Sequence, residues 1–200
     1  MKKVILFSFV AFIAGQLIAQ NYQSIALGSS IPMANIKMKD VTGNETSIKE
    51  ATKKNGVLVM FSCNTCPYVI KNQQRIKEAC AYALQNNIGV IILNSNEAER
   101  SESDSYKAMQ AYAKAQGYQW NYVVDVQSKV ANAFGANRTP EIFLFDAQGK
   151  LAYKGAIDDN PGDAAHAKHP YLKEAITNVS TGKEISVKES RSMGCGIKRN

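Results

Sequence analysis

The stretch Gly56-Val57-Leu58-Val59-Met60-Phe61-Ser62-Cys63-Asn64-Thr65-Cys66-Pro67-Tyr68-Val69 decides how the rest of this chain is read. Its apolar run, residues 57–61, is continuous and opened by a glycine, which suits a strand buried on both faces of a sheet. A turn over residues 62–67 follows, and then a helix to about residue 85, where Val69, Ile76, Cys80 and Ala83 fall on one apolar stripe. Cys63 and Cys66 therefore stand between a buried strand and a helix start. A helix N-terminus offers unpaired N–H groups and the positive end of the helix dipole, and both stabilise a thiolate, the reactive form of cysteine. Two intervening residues let the sulfurs close a ring on the first turn. This placement predicts Cys63 at the exposed helix start as the attacking thiol, with Cys66 sheltered one turn deeper as the resolving thiol. Pro67 suits a position whose N–H lacks a helical partner.

Outward from this stretch, residues 89–93 and 122–126 read as further strands, and residues 106–116 as a helix closed by Gly117. A short helix over 128–134 is stopped by Gly135, and Asn137-Arg138-Thr139-Pro140 is a turn. Residues 141–145 and 151–156 flank Asp146-Ala147-Gln148-Gly149-Lys150 as a hairpin. Pro170 begins the last helix, residues 170–179. Upstream, a short strand pair turns at Thr42-Gly43-Asn44, and residues 47–54 allow a helical turn or two. The segments 97–105 and 158–169 are polar loops. Strands alternating with helices call for parallel crossovers, and the late hairpin adds antiparallel strands. The expected fold is a mixed α/β sandwich.

The 200 residues are 45% hydrophobic, enough for a core without disulfide staples. The formal charge of +7 is spread along the chain, with no basic run interleaved with aromatics, so nucleic-acid binding is not expected. Lys2 and Lys3, an apolar run over residues 4–14 and Ala19 together resemble a secretory signal peptide cut near residue 20. That predicts an exported protein, periplasmic in a bacterium, with membrane contact only if this segment stays uncleaved. Residues 1–20 are then the signal, 21–181 the folded domain, and 182–200 a polar tail carrying Cys195.

A lone C-x-x-C also occurs as half of a zinc site or as a static disulfide, but a zinc site needs a second pair at suitable spacing. His166 and His169 lie about a hundred residues away, in a loop. They are read as solvated, the alternative being a copper site of Cys63, Cys66 and one histidine. No metal or other cofactor is expected for the redox reading. Cys80, on the apolar stripe, is read as a core thiol, or else as a partner for Cys195. Cys195, between glycines, is either a loose surface thiol or a candidate third redox thiol that folds back on Cys63. Arg138 is read as an aid to thiolate formation or a surface charge, and Asp125 and Glu141 as candidate proton acceptors for Cys66.

Strand, C-x-x-C, helix, then Arg138-Thr139-Pro140-Glu141, Tyr153-Lys154-Gly155-Ala156-Ile157-Asp158-Asp159-Asn160 and Gly194-Cys195-Gly196-Ile197-Lys198 resemble the thioredoxin superfamily, within it the redoxin or peroxiredoxin-like branch. The resemblance implies a thioredoxin-like three-layer α/β/α sandwich around a mixed sheet, with residues 21–181 as the domain. It implies thiol–disulfide oxidoreductase chemistry at Cys63 and Cys66. It also implies a cis Pro140 beside the disulfide, and a Thr139 whose backbone grips a docked substrate strand by β-augmentation. Partners would be proteins bearing thiols or disulfides, plus a redox partner that exchanges electrons. The chain departs from the pattern at Ser62, where typical thioredoxins carry Trp. It also lacks the P-x-x-x-T-x-x-C signature of true peroxiredoxins, so thiol peroxidase activity is kept only as an alternative.

Overall fold

The computed structural model describes residues 22–200, so the predicted signal peptide lies outside the described residues. In chain order the elements are β1 (Met38–Lys39), β2 (Glu45–Thr46), α1 (Ile48–Ala51), β3 (Val57–Ser62), α2 (Pro67–Gln85), β4 (Gly89–Asn94), α3 (Tyr106–Gln116), β5 (Asn121–Val124), α4 (Lys129–Phe134), β6 (Arg138–Thr139), β7 (Glu141–Phe145), β8 (Leu151–Gly155), α5 (Tyr171–Thr181) and β9 (Cys195–Gly196).

Five strands form one sheet in the order β5-β4-β3-β7-β8. β3 pairs in parallel with β4, and β4 with β5, while β7 runs antiparallel to both β3 and β8. The central strands are buried on both sides, as their unbroken apolar runs predict. Because strand side chains alternate, each strand feeds two cores. Leu58, Met60, Val90, Ile92, Ile142 and Leu144 pack with residues of α2, α3 and α5, including Val69, Ile76, Met109 and Ile176. Val59, Phe61, Ile91, Leu93 and Phe143 pack with Ile48 of α1 and with Val130 and Phe134 of α4. The result is the α/β/α sandwich, with a mixed sheet as its middle layer.

Local chemistry explains where elements begin and end. Ser105 accepts the Ala108 N–H and starts α3, and Gly117, at φ 67°, ends it in the left-handed region. The third strand stops at Val124, two residues short of the expected Val126. There Asp125 turns its carboxylate onto the N–H groups of Val130 and Ala131. No helix among the described residues is long and apolar enough to cross a membrane.

The C-terminal segment departs from the loose polar end that its composition predicts. Ile185 and Ile197 bury their side chains, and residue 189 bridges to Lys154 of β8. Gly155, at φ 138°, admits the tail closely: a Cβ there would meet Ser190 Oγ at 2.3 Å. The tail then returns to the sheet end that carries the cysteine pair, where β9 pairs antiparallel with β6.

Candidate active site

β3 delivers the chain to Ser62, and α2 takes it up at Pro67. Cys66 is the residue that caps α2, and Pro67 occupies its first turn. Across from the pair, the Thr139-Pro140 peptide is cis. Thr139 touches both sulfurs. Its Oγ1 lies 3.4 Å from Cys63 Sγ, and its carbonyl oxygen accepts from the Cys66 thiol at 3.1 Å. The C-x-x-C turn and the Thr-Pro turn, more than seventy residues apart in sequence, thus form one site.

The exposure expected of Cys63 is not found. Cys63 is 2% exposed and Cys66 4%. Because α2 begins at Pro67, the free N–H of Val69 serves Cys66 rather than Cys63. The two thiols titrate as a pair. Once ionised, Cys66 is held at about 4, first by the Cys63 S–H and then, against burial, by the Cys195 S–H and the Val69 N–H. Cys63 is pushed far above the ordinary thiol range by the same bond to Cys66, with burial and the nearby Asp104 charge adding and the Thr139 hydroxyl opposing. The surroundings of the reduced pair therefore favour negative charge on Cys66 over Cys63.

Cys195 is the third sulfur here. Its residue pairs with Thr139 in the β6–β9 ladder, and its thiol meets Cys66 rather than the expected Cys63. Burial raises its pKa, and the neighbouring Cys66 raises it further. Cys80 takes no part: it is fully buried on α2, and burial alone pushes its thiol far up. The alternative pairing of Cys80 with Cys195 has no geometric basis.

Beneath the C-x-x-C turn lies a buried polar network that the sequence reading missed. Asp104 Oδ1 accepts the Asn64 N–H at 2.9 Å and the Asn94 amide at 2.7 Å, and its Oδ2 accepts the Asn96 amide at 2.9 Å. The Tyr122 hydroxyl donates to Asn64 Oδ1 at 2.8 Å. One signal could have found it: Asn94-Ser95-Asn96 follows directly on a strand buried on both faces, where polar side chains need partners.

The expected proton acceptors sit elsewhere. Asp125 serves α4, as described, and accepts the Ser95 hydroxyl at 2.7 Å. Glu141 accepts the N–H groups of Asn137 and Arg138 at 2.7 and 2.9 Å, which shapes the turn before Pro140. Burial pushes both carboxyls up. Arg138 donates to the Gly194 carbonyl at 3.1 Å, so it holds the tail. His166 pairs with Asp163 at 2.7 Å, and the His169 ring stacks on Tyr171. Among the described residues no group of three His, Cys, Asp or Glu side chains is placed to hold a metal ion.

The chain is similar to known proteins over most of its length. The chain is 27% identical over 154 residues to the thiol-disulfide oxidoreductase ResA of Geobacillus thermodenitrificans, covering 76% of this chain and 83% of that one. A hypothetical protein from Sinorhizobium meliloti superposes with a TM-score of 0.80 at 30% identity, over 89% of this chain and 97% of its own. An uncharacterized conserved protein from Geobacillus kaustophilus gives 0.81 at 28%, over 88% and 93%. The Redoxin family model matches residues 26–174. That span takes in the cysteine pair, the cis-proline turn and the whole central sheet, so the chain belongs to the Redoxin family and is a thiol–disulfide oxidoreductase of thioredoxin-like fold.

Proposed function

We propose that this redoxin is an exported protein that exchanges disulfides through the Cys63–Cys66 pair. The carrying observation is the contact of both sulfurs with Thr139, beside the cis Pro140. One thiol of the pair exchanges with an incoming sulfur, and the other, beside it on Thr139, closes the ring by displacing the newcomer. The exchange moves two electrons without an organic cofactor. Its partners are proteins bearing thiols or disulfides. Export rests on the basic start and apolar run of residues 1–20, and a mature N-terminus near residue 20 in the extracytoplasmic fraction is the result that supports it.

The test is equilibration of the mature protein with glutathione and dithiothreitol buffers. A reversible two-electron couple is expected, absent from Cys66→Ser and from the double variant Cys63→Ser, Cys195→Ser. A potential near about −270 mV identifies a reductant, and one near about −120 mV an oxidant. No reversible couple in the wild type would sink the reading.

A further inference from the structure

Both sulfurs of the pair are buried, yet exchange with another protein requires sulfur-to-sulfur contact. The tail is docked against this site. β9 lies on Thr139, the backbone edge where a substrate strand would add. Gly194 is pressed so closely that a Cβ there would meet Thr139 O at 2.2 Å. The docking continues past the cysteine: Ile197 N–H donates to Asn137 O at 3.0 Å, and Lys198 N–H to Asn96 Oδ1 at 3.0 Å. The docked segment brings its own thiol, against Cys66 and partly open to solvent.

We propose that Cys195 is a third redox thiol that carries the disulfide from the buried Cys63–Cys66 pair to the surface, where an outside protein dithiol meets it. The proposal rests on the exchange chemistry assigned to that pair. In the oxidised protein, Cys195 gives its proton to solvent and its thiolate attacks Cys66 Sγ. The Cys63–Cys66 bond breaks, the Cys66–Cys195 bond forms, and Cys63 leaves as a thiolate that takes up a proton. A thiolate of the outside dithiol then attacks Cys195 Sγ and expels Cys66. The second thiol of that dithiol resolves the mixed disulfide and returns Cys195 as a thiol. The dithiol ends as a disulfide, and the protein has gained its two electrons. Cys66 and Cys195 meet at Thr139, whose carbonyl accepts from the first and whose ladder partner is the second, and Cys66 is electrostatically coupled to both other thiols.

Two measurements on the full mature protein test this. In the first, Cys63→Ser is treated with oxidised glutathione, alkylated and mapped by mass spectrometry. A Cys66–Cys195 disulfide is expected, and a glutathione adduct on Cys66 without that bond overturns the proposal. In the second, reduced thioredoxin serves as the outside dithiol, and the rate at which it reduces oxidised Cys195→Ser is compared with wild type. A fall of about tenfold or more is expected, because the buried pair loses its accessible sulfur. An unchanged or faster rate overturns the proposal, since a tail that merely covers the pair would obstruct it less once altered. The glutathione couple of Cys63–Cys66 must persist in Cys195→Ser. If it is missing from wild type as well, the assignment of the pair itself has failed, and the relay with it.

Discussion

β3 and the C-terminal tail both reach Cys66, and they are held in place by different physics. β3 is fixed by apolar burial: Val57, Leu58, Val59, Met60 and Phe61 are all completely enclosed. The tail has Ile185 and Ile197 as apolar anchors and otherwise relies on directional polar contacts. Arg138 holds the Gly194 carbonyl, Lys198 pairs with Glu99 at 2.8 Å, and Arg199 reaches Asn132 at 2.8 Å. Burial of a continuous strand is global and non-directional, whereas backbone pairing and exposed ion pairs are local and weak. The expected outcome is one molecule with two stabilities, a cooperative sheet and a tail that opens on its own.

The largest effect should come from the sheet. Phe61 packs edge-on against Phe134 and Phe143, with ring centroids 5.3 and 5.7 Å away. Phe61→Ala should cost about 3–5 kcal/mol in denaturant unfolding. A loss no larger than that of a tail substitution would erase the distinction. Asp104 comes next, because Asn96 bonds both to Asp104 and to Lys198 of the tail and so joins the two regions. Asp104→Ala leaves buried donors on Asn64, Asn94 and Asn96 without their acceptor, at about 1–3 kcal/mol. It also removes a negative charge that holds the Cys63 thiol up, so alkylation of Cys63 should begin at lower pH. Gly194→Ala should leave the unfolding midpoint where it is and speed alkylation of Cys66 in the folded protein. Unchanged labelling would mean that the tail does not open separately.

The pH dependence has a sign that follows from the two shifts. Cys66 has a folded pKa of about 4, below that of an unfolded thiol, so it adds stability to the reduced protein as pH rises from about 4 toward about 8.5. Cys63 is raised, so above that value the folded form holds a proton the unfolded form releases, and stability declines. The reduced protein should be most stable near the ordinary thiol pKa, and the fully oxidised pair should lack this dependence. Thermal melts of both forms across pH check it. Thiolate absorbance of the reduced form should shift to higher pH in Cys195→Ala, which removes one of the S–H donors to Cys66.

The same contrast explains what was legible. β3, β4 and β7 announce themselves because burial on both faces demands unbroken apolar runs, and α3 was read to its observed limits from spacing and Gly117. The meeting of Cys63 and Cys66 with Thr139 and Pro140 came from the family resemblance, since no local pattern encodes a contact across more than seventy residues. The segments of β6 and β9 read as a turn and as either a loose end or a fold-back, because a two-residue ladder has no periodicity to detect. Asp104 hid in a polar segment for a related reason: a carboxylate satisfied by buried N–H groups looks, in sequence, like one satisfied by water. The exposure assigned to Cys63 failed because it took no account of residues 194–196 docking against the site.

The pairing of Thr139 with Cys195 also sets a rule for competition. A strand tethered to its own binding edge acts as an intramolecular ligand, at an effective concentration in roughly the millimolar range for a short flexible link. A visitor that needs the same edge sees only the fraction of molecules with the tail lifted, and its apparent dissociation constant grows by the inverse of that fraction. A visitor that needs only the Cys195 sulfur faces no such handicap. The tail would thus sort callers by how they grip, turning away those that add a strand and admitting those that offer a thiol.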